Sequence, residues 1–553
     1  MRFRLPAQSL TGNTLIVLVA VFLTVSGNLS FFGKVLDTYQ FTAGNAPALI
    51  SLAAMVMAIT VLLLALACFG RTTKPVLIVI LLLSSLAACF MDSYGIIINT
   101  EMLQNAAQTN MAEALDLLNF RLLAYFVVLG VAPAIVVARI PMHWRGMRAE
   151  ALARGKLLAI VVVLMVATVL AFGSFYASFI RQHKSLRFFT NPATYIYSTA
   201  RFAGDAFATK SGQAVTVIGS DAHIQAHHSI HRELFILVIG ETARADRFSL
   251  NGYERDTNPQ LRQANVVNFP NFWACGTSTA VSVPCMFSLI GTDKFDTKSA
   301  AAQENVLDVL QRAGVNVLWL DNNSDSKDVA LRVPYKSYKS PEVNPVCDPE
   351  CRDVGMLPAV QEYIEAHPAG DILIVLHQMG NHGPAYFKRY PPAFEKFKPA
   401  CQNADLSQCS REEIGNAYDN AILYTDFFLG KVIDLLKANQ SRFETAMLYM
   451  SDHGESLGEN GVYLHGLPRA IAPDAQLHVP AVMWLGGGYD QVDVAALQKK
   501  RDTRFTHDNL AHTILGFLEV RTSVYRPEMD MLDGARKPGT LTPPTMSAEK
   551  AKP

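Results

Sequence analysis

The sequence lacks an excess of charge of either sign, an internal repeat and any long low-complexity segment. Its 48 Lys and Arg residues balance 48 Asp and Glu residues, which gives a formal net charge of +0 at pH 7. Because nucleic-acid binding depends on a basic surplus, we expect no nucleic-acid partner. The missing repeats argue against a repeat architecture, so the 553 residues should form ordinary folded domains.

Charged residues are scarce in the first third of the chain, where long apolar runs follow one another. The runs span roughly Thr14–Phe32, Pro47–Phe69, Pro75–Ile98, Phe120–Ile140 and Leu157–Ile180. Each is close to the ~20 residues that a helix needs to cross a bilayer. No small-residue cleavage site ends the first run, which favours a membrane anchor over a signal peptide. The sequence therefore predicts an α-helical membrane domain with five transmembrane helices over residues 1–180.

Basic residues are nearly absent from one set of short loops between these runs. Residues 99–119 contain no Lys or Arg, and residues 33–46 contain only Lys34. The opposite loops contain Arg2, Arg4, Arg71, Lys74, Arg139, Arg145, Arg148, Arg154 and Lys156. Because Lys and Arg are enriched on the cytoplasmic side, we expect a cytoplasmic N-terminus. An odd number of spans then places everything after Ile180 outside the cytoplasm.

Cysteine is uncommon, with eight residues in the chain. Cys68 and Cys89 lie in apolar runs and are read as buried thiols. The other six form three close pairs along the sequence: Cys275 with Cys285, Cys347 with Cys351, and Cys401 with Cys409. Six cysteines allow about 15 connectivities, of which nearest-neighbour pairing is the simplest. A structural zinc site competes, but Cys347 and Cys351 lack nearby Cys or His residues at zinc-finger spacing, so disulfides outside the cytoplasm are favoured.

The remaining chain divides into three parts. Residues 181–230 mix basic, aromatic and small residues, which is typical of an interfacial linker on the membrane surface. From His231 onward, short apolar runs such as "ELFILVIG", "DILIVL" and "TAMLYMSD" alternate with helical stretches. This alternation predicts an α/β catalytic domain with a mainly parallel sheet over residues 231–535. Residues 536–553 form a polar tail for which we expect disorder.

Carboxylates and imidazoles follow several of these apolar runs. They are Glu241, His377, His382, Asp452, His453 and, soon after, His465. The carboxyl ends of parallel strands meet at one edge of a sheet, so these side chains should converge. Oxygen and nitrogen donors at short range suit a divalent cation such as zinc. Taken singly, each residue has an ordinary alternative, such as a helix-terminal charge, a hydrogen-bonded histidine or a turn.

The segment "CGTSTAVSVPC" at residues 275–285 places three hydroxyls before a stretch that can open a helix. A hydroxyl becomes a good nucleophile when a base or a metal ion favours its ionised form. A helix N-terminus also favours a bound phosphate. The competing interpretation is that Thr277, Ser278 or Thr279 simply caps the helix. Spacing alone does not rank the three hydroxyls.

Several long motifs resemble one family. The segments "GETARADRFSLNGYERDTNPQL", "CGTSTAVSVPCMFS", "DNNSDSK", "LHQMGNHGPAYFKRY", "AYDNAILYTD" and "SDHGESLGENGVYLHG" are similar to the lipid A phosphoethanolamine transferases, including the mobile colistin resistance type. These enzymes belong to the alkaline phosphatase and sulfatase superfamily. The similarity also includes "DSYG", "MLQN" and "DLLN" in the membrane part, so it covers nearly the whole chain.

The resemblance implies a role for each matching residue. Thr279 becomes the nucleophile that accepts phosphoethanolamine, and Glu241, Thr279, Asp452 and His453 become ligands of one zinc ion. His382 and His465 match positions that move a proton, bind phosphate or hold a second zinc. Matches to substrate-contacting positions are Asn323, Lys327, His377, Asn105, Thr109 and Glu113. The last three recur every fourth residue, so they share one face if that segment is helical.

The resemblance also implies an activity. Phosphoethanolamine would pass from phosphatidylethanolamine to Thr279 and then to a phosphate of lipid A, at the periplasmic side of a bacterial inner membrane. The added ammonium lowers the anionic attraction for polymyxins such as colistin. We expect a monomer. The alternatives are a superfamily phosphotransferase acting on another envelope glycan and a non-catalytic, zinc-stabilised membrane receptor.

Overall fold

The computed structural model describes residues 9–108, 114–115, 117–183, 186–209, 215–224, 232–348, 350–487, 489 and 491–537. The chain forms two compact units. A helical unit contains residues 1–103 and 117–206, and a second unit contains residues 104–116 and 207–553. The Thr100–Gln108 helix therefore contributes its last residues to the second unit.

The part of the chain before residue 210 is mainly helical. Its helices are Gly12–Ser26, Leu29–Thr38, Ala46–Ala67, Thr73–Tyr94, Thr100–Gln108, Phe120–Tyr125, Ala132–Arg139, Met147–Ala171, Gly173–Gln182 and Ala193–Thr209. A π-helical turn, Phe126–Val131, joins two of them. Strands β1 (Leu10–Thr11) and β2 (Met142–His143) pair in parallel.

Four described helical segments are long and apolar enough to cross a membrane. They are Ala46–Ala67, Gly70–Tyr94, Phe120–Arg139 and Met147–Ala171. The helices Gly12–Ser26 and Leu29–Thr38 qualify as a fifth span only when taken together, and they bend by 54° at their break. The count of five therefore depends on this bent pair, where the sequence predicted one continuous run.

Two buried asparagines explain why the first span can break. Asn28 donates its side-chain N–H to Asn191 O at 2.7 Å and accepts the Asn191 backbone N–H at 2.8 Å. The Asn191 amide also donates to Gly27 O at 3.1 Å. Backbone groups freed in an apolar bundle need such partners. Asn191 lies in the predicted interfacial linker, so this part of residues 181–230 packs within the helical unit.

The second unit contains the remaining described strands. They are β3 (His223–Ile224), β4 (Arg232–Gly240), β5 (Val267–Asn268), β6 (Phe272–Trp273), β7 (Asn316–Asp321), β8 (Tyr335–Ser337), β9 (Ile372–His377), β10 (Phe443–Ser451), β11 (Ser456–Leu457), β12 (Tyr463–Leu464), β13 (His478–Val479), β14 (Ala481–Leu485), β15 (Phe505–Thr506) and β16 (Val520–Arg521). Its helices are Pro259–Gln263, Thr279–Phe287, Thr297–Ala301, Val306–Ala313, Leu357–Ala366, Arg411–Ala438, Asp474–Leu477, Val494–Lys499 and Asp508–Phe517.

Within the described residues, seven strands form the main sheet in the order β5, β14, β10, β4, β9, β7, β8. The strands from β10 to β8 in this order are parallel, and β14 runs antiparallel to both of its neighbours, β10 and β5. Every residue of β9 and β10 is buried, as expected for parallel strands covered on both faces. The mainly parallel α/β prediction is confirmed.

The three nearest-neighbour disulfides are present: Cys275–Cys285, Cys347–Cys351 and Cys401–Cys409. Cys68 and Cys89 are buried thiols that form no disulfide. The predicted polar tail begins two residues too early. The Arg536 guanidinium donates to the buried Asp530 carboxylate at 2.7 Å, and the Lys537 N–H donates to Gln491 O at 2.9 Å, so both residues belong to the folded unit. Residues 538–553 lie outside the described part of the chain.

Candidate active site

Parallel strand ends bring the predicted acidic residues together. Glu241 follows β4, and Asp452 and His453 follow β10. Since Ser451 pairs with Gly240 in the sheet, Glu241 and Asp452 leave neighbouring strands at the same level. A Cβ added at Gly240 would lie 2.5 Å from Tyr449 Oη. Only glycine therefore fits at the last position of β4, directly before Glu241.

Thr279 is the first residue of the Thr279–Phe287 helix, and Ser278 is its N-cap residue. The Thr279 hydroxyl donates to Glu241 Oε2 at 3.1 Å and lies 3.3 Å from His453 Nε2. The capping interpretation fails for all three hydroxyls of this segment, because Ser278 makes no side-chain cap hydrogen bond and Thr277 donates to Leu467 O. The Thr279 hydroxyl instead points to the acidic residues.

Glu241, Asp452 and His453 form a group that we call the cation pocket. One ligand atom from each residue lies within 4.8 Å of the others, and all three residues are buried. Asp452 Oδ1 accepts backbone N–H groups of Thr242 and His453. Asp452 Oδ2 has no hydrogen-bond partner among the described residues. Buried polar atoms usually have a partner, so this oxygen is consistent with a metal ligand.

The protonation states also suit a divalent cation. His453 Nδ1 lies 2.9 Å from Gly454 O, which places the hydrogen on Nδ1 and leaves the lone pair on Nε2. Burial lowers the pKa of His453 well below its usual value, so the ring is neutral. Burial raises the pKa of the Asp452 carboxyl, and a bound cation would restore its ionised form. Two carboxylates, an imidazole and a hydroxyl at short range fit zinc.

A second buried group, the Glu455 network, consists of Tyr386, Glu455 and His465. The Tyr386 hydroxyl donates to Glu455 Oε1 at 2.6 Å, and His465 Nδ1 lies 2.7 Å from Glu455 Oε2. The His465 ring centroid lies 4.3 Å from that of His453 and 5.8 Å from that of His382. The predicted residues His382 and His465 are therefore brought to the site. Burial lowers the pKa of His382 well below its usual value.

Glu455 is a site residue that the sequence prediction missed. It follows His453 by two residues in "SDHGES", so its closeness to the predicted ligands was the available signal. With His453 and His465 it forms a second group of potential metal ligands.

The sequence prediction also missed His507, which links two parts of the site. Its Nε2 donates to Ser451 O at 2.9 Å, and its Nδ1 accepts the Cys275 N–H at 3.2 Å. Ser451 precedes Asp452, and Cys275 begins the segment that carries Thr279. The buried imidazole therefore joins the strand that positions the cation pocket to the loop before Thr279.

The predicted substrate-contacting residues have well-defined protein partners. The Asn323 amide donates to Glu241 Oε2 at 2.6 Å and to Gln378 O at 2.7 Å. Lys327 Nζ donates to Ser324 O at 2.8 Å and to Gln108 O at 3.4 Å. Asn323 thus fixes Glu241 of the cation pocket, and Lys327 is 4% exposed. Their predicted substrate contacts remain predictions.

His377 forms a buried pair with Asp321. The His377 Nδ1–H donates to Asp321 Oδ2 at 2.9 Å, and Trp319 Nε1 donates to the same oxygen at 3.0 Å. His377 Nε2 is buried and has no hydrogen-bond partner among the described residues.

Asn105 lies on the Thr100–Gln108 helix and is half-buried. Thr109 and Glu113 lie outside the described residues, so their shared helical face remains a prediction.

Comparison with known proteins identifies the family. Residues 233–520 match the sulfatase family, and residues 56–207 match a family described as phosphoethanolamine transferase EptA/EptB. The phosphatidylethanolamine transferase Mcr-1 of Escherichia coli is 43% identical over 524 residues, which cover 93% of this chain and 96% of that protein. The phosphoethanolamine transferase EptA of Escherichia coli K12 is 38% identical over 531 residues, with 94% and 96% covered.

A solved structure agrees over the whole length. The integral membrane lipooligosaccharide phosphoethanolamine transferase A of Neisseria meningitidis has a TM-score of 0.92 and 33% identity, with 96% of this chain and 100% of that chain covered. Both the helical unit and the α/β unit are therefore shared. The chain belongs to the phosphoethanolamine transferase family, whose catalytic domain has the alkaline phosphatase and sulfatase fold.

Proposed function

We propose that the protein transfers phosphoethanolamine from phosphatidylethanolamine to a phosphate of lipid A through a covalent intermediate on Thr279. One observation carries this proposal. The Thr279 hydroxyl is buried at a helix N-terminus and contacts both Glu241 and His453. A hydroxyl used only for capping or packing would not need two potential metal ligands as neighbours. The same placement argues against a non-catalytic receptor.

We further propose that Glu241, Thr279, Asp452 and His453 hold one zinc ion. When bound, zinc supplies Lewis acidity that favours the ionised hydroxyl and offsets charge on the phosphate oxygens. Asn323 holds Glu241 in place through its side-chain amide.

Side chains and backbone groups of the protein carry out the first transfer step. Thr279 Oγ1 attacks the phosphorus of phosphatidylethanolamine, the bond from phosphorus to the diacylglycerol oxygen breaks, and diacylglycerol leaves. Because Thr279 is the first residue of its helix, the positive end of the helix dipole favours the negative charge of the phosphate there.

His465 is suited to proton transfer. Glu455 holds the hydrogen of the neutral ring on Nδ1, so Nε2 can take up the proton that the Thr279 hydroxyl loses and give it to the departing glycerol oxygen. In the second step a lipid A phosphate oxygen attacks the Thr279-bound phosphorus. The bond from phosphorus to Thr279 Oγ1 breaks, and Nε2 passes the acceptor's proton, if the acceptor carries one, to the released Thr279 oxygen; otherwise that oxygen leaves in its ionised form.

Two features of the chain support the proposed location. Lys and Arg residues in alternate loops support a cytoplasmic N-terminus in a bacterial inner membrane and a periplasmic catalytic unit. The three disulfides of that unit support an oxidising compartment. A lipid donor and a lipid acceptor both favour an anchored monomer, because tethering raises the effective concentration at the membrane. Adding ammonium groups to lipid A then lowers polymyxin binding and gives colistin resistance.

Intact mass spectrometry tests the covalent step. The purified, zinc-loaded full chain is incubated with phosphatidylethanolamine in the absence of lipid A. We expect an adduct of phosphoethanolamine mass that disappears in Thr279→Ala, after zinc chelation and when lipid A is added. A wild-type protein that transfers phosphoethanolamine without ever carrying the adduct would contradict the Thr279 intermediate. A protein that neither forms the adduct nor modifies lipid A would contradict the proposed activity.

A further inference from the structure

A polar cavity lies next to the helix that carries Thr279. It has a volume of about 270 Å³. One wall is the segment after the Thr279–Phe287 helix, and the other walls are the Asp508–Phe517 helix and the turn near Arg526. We call it the side cavity, and its polar lining includes Thr292, Asp293, Lys294, Asp508, His512 and Arg526.

Hydrogen bonds hold the walls of the side cavity together. Asp508 Oδ1 accepts the backbone N–H of Thr292 at 2.9 Å and its hydroxyl at 2.6 Å. On the opposite wall, His512 Nδ1 accepts the Arg526 N–H at 3.2 Å. This bond assigns the ring hydrogen of a neutral imidazole to Nε2. Burial, followed by the nearby Arg526, lowers the pKa of His512 to about 4, so the ring is neutral near pH 7. His512 is 2% exposed and offers Nε2–H as a donor.

The cavity presents charges of both signs that do not pair with each other. Within the part of the chain that the structure describes, Lys294, Arg526 and Asp293 form no ion pair. The Asp508 carboxylate is bonded only to the neutral Thr292. Adjacent unpaired cations and carboxylates are complementary to a ligand that itself carries both charges. Asp293, Lys294 and Arg526 are exposed and solvated, so a zwitterion gains by pairing with both signs at once, whereas an anion or a cation alone pairs with only one of them.

We propose that the side cavity binds a zwitterionic phosphoethanolamine group at a site separate from Thr279. The phosphate lies toward Lys294, Arg526 and the His512 Nε2–H, and the ammonium lies toward Asp508 and Asp293. A water molecule takes about 30 Å³ of liquid volume, so a cavity of about 270 Å³ has room for this small head group.

The separation from Thr279 follows from the helix between them. The Thr279–Phe287 helix has nine residues, which span about 13 Å at a rise of 1.5 Å per residue. One small head group cannot occupy both places. The inference rests on the proposed function for the identity of the head group, which is carried by the donor lipid and by the modified acceptor. The side cavity would keep such a lipid beside the active site.

Photo-crosslinking tests this proposal in the zinc-loaded full chain. The probe is glycerophosphoethanolamine with a diazirine on its glycerol, and labelled tryptic peptides are identified by mass spectrometry. Residues 505–521 contain Asp508 and His512 of the side cavity but also His507 of the active site, so fragmentation of the labelled peptide must place the label at or after Asp508 for it to report the side cavity. Residues 443–469 report the active site because they contain Asp452 and His453. We expect labelling of both peptides, with glycerophosphoethanolamine protecting residues 505–521 at least about tenfold better than inorganic phosphate or ethanolamine.

A charge-removing variant gives the second measurement. We expect Lys294→Gln with Arg526→Gln to reduce labelling of residues 505–521 about tenfold, because hydrogen bonds to charged groups are the strong ones. The matched control Arg411→Gln with Lys499→Gln removes two exposed cations elsewhere and should label like wild type. Two competitors then tell which lipid supplies the head group. One is vesicles of phosphatidylethanolamine, with phosphatidylcholine vesicles for comparison, and the other is phosphoethanolamine-modified lipid A.

Each contrary result has a defined meaning. Labelling of residues 443–469 without residues 505–521 would overturn the side-cavity site and leave the proposed function intact. Equal protection by inorganic phosphate would replace the zwitterion with a simple anion and overturn the proposal. Equal labelling of the charge-removing and control variants would also overturn it. Absence of labelling at both peptides, together with absence of transfer to lipid A, would refute the proposed function as well.

Discussion

The cation pocket and the Glu455 network lie side by side and use buried carboxylates in opposite ways. In the cation pocket, Asp452 keeps Oδ2 without a hydrogen-bond partner among the described residues. In the Glu455 network, both carboxylate oxygens are used, one by the Tyr386 hydroxyl and one by the His465 ring. An acid with an open oxygen can bind a cation, whereas an acid with both oxygens bonded holds a neighbouring group in place.

This comparison distinguishes two interpretations of the second ligand group. His453, Glu455 and His465 are close enough to hold a metal ion, which favours a two-zinc site. The short bonds of Glu455 to Tyr386 and His465 favour an orienting role, in which Glu455 fixes the hydrogen of His465 on Nδ1.

Removing the nucleophile should have the largest effect. We expect Thr279→Ala to lower phosphoethanolamine transfer to lipid A by at least about 10⁴-fold, as for other covalent nucleophiles. Transfer is measured from the mass of lipid A after reaction in vesicles. Thr279→Ser keeps the hydroxyl and should keep part of the activity. A Thr279→Ala protein with activity close to wild type would contradict the role of this residue.

Changing the open carboxylate should release the metal ion. We expect Asp452→Asn to weaken zinc binding by at least about 100-fold, because loss of an outer hydrogen-bond partner alone costs about 10–100-fold. Zinc content is measured by elemental analysis of the purified full chain against a series of chelator concentrations. The comparison between the two groups would be wrong if Asp452→Asn retained zinc as tightly as wild type.

Changing the saturated carboxylate should leave zinc in place. We expect Glu455→Gln to lower the turnover number about tenfold while the zinc content stays at the wild-type value, since the amide orients His465 less firmly. Tyr386→Phe is a matched control, because it removes one bond to Glu455 and leaves His465 bonded. It should lower turnover only about threefold. Loss of a zinc ion from Glu455→Gln would instead establish Glu455 as a ligand.

The two groups also differ in how far the sequence could predict them. Glu241, Asp452 and His453 directly follow buried strands, and strand ends are visible in the hydrophobic pattern. The Glu455 network depends on Tyr386, Glu455 and His465 coming together from three separate segments, the first of them a 3-10 helix. No local pattern predicts that these three residues come together, so Glu455 was missed, whereas His465 was found because it follows soon after the apolar run that ends at Asp452.

Long-range hydrogen bonds also explain the other differences between the sequence-based predictions and the structure. The five apolar runs predicted the membrane helices, but the bend at Gly27 and Asn28 depends on Asn191, which is distant in sequence. The motif "DNNSDSK" suggested substrate contacts for Asn323, whereas the folded turn aims its amide at Glu241. Periodicity thus identifies the elements, and long-range hydrogen bonds decide what the polar residues do.

A smaller effect should appear in the pH dependence of stability, through His507. The buried His507 ring bonds to Ser451 O and the Cys275 N–H, which requires the neutral form. Burial lowers the pKa of His507 to about 4. The unfolded chain takes up this proton near pH 6.5, so the stabilising contribution is complete above pH 6.5. It is lost as the pH falls toward 4, with a total change of about 3 kcal/mol.

The variant His507→Gln isolates this contribution, because a glutamine amide can accept from the Cys275 N–H and donate to Ser451 O without titrating. We expect the wild-type unfolding temperature, measured in detergent by tryptophan fluorescence, to fall more steeply than that of His507→Gln between pH 7 and pH 4.5. Parallel pH curves for the two proteins would show that His507 is not held neutral by its two backbone partners. The His507 ring joins the strand before Asp452 to the loop before Thr279. A steeper fall of the unfolding temperature for the wild type would therefore show that this link between the cation pocket and the nucleophile depends on a neutral imidazole.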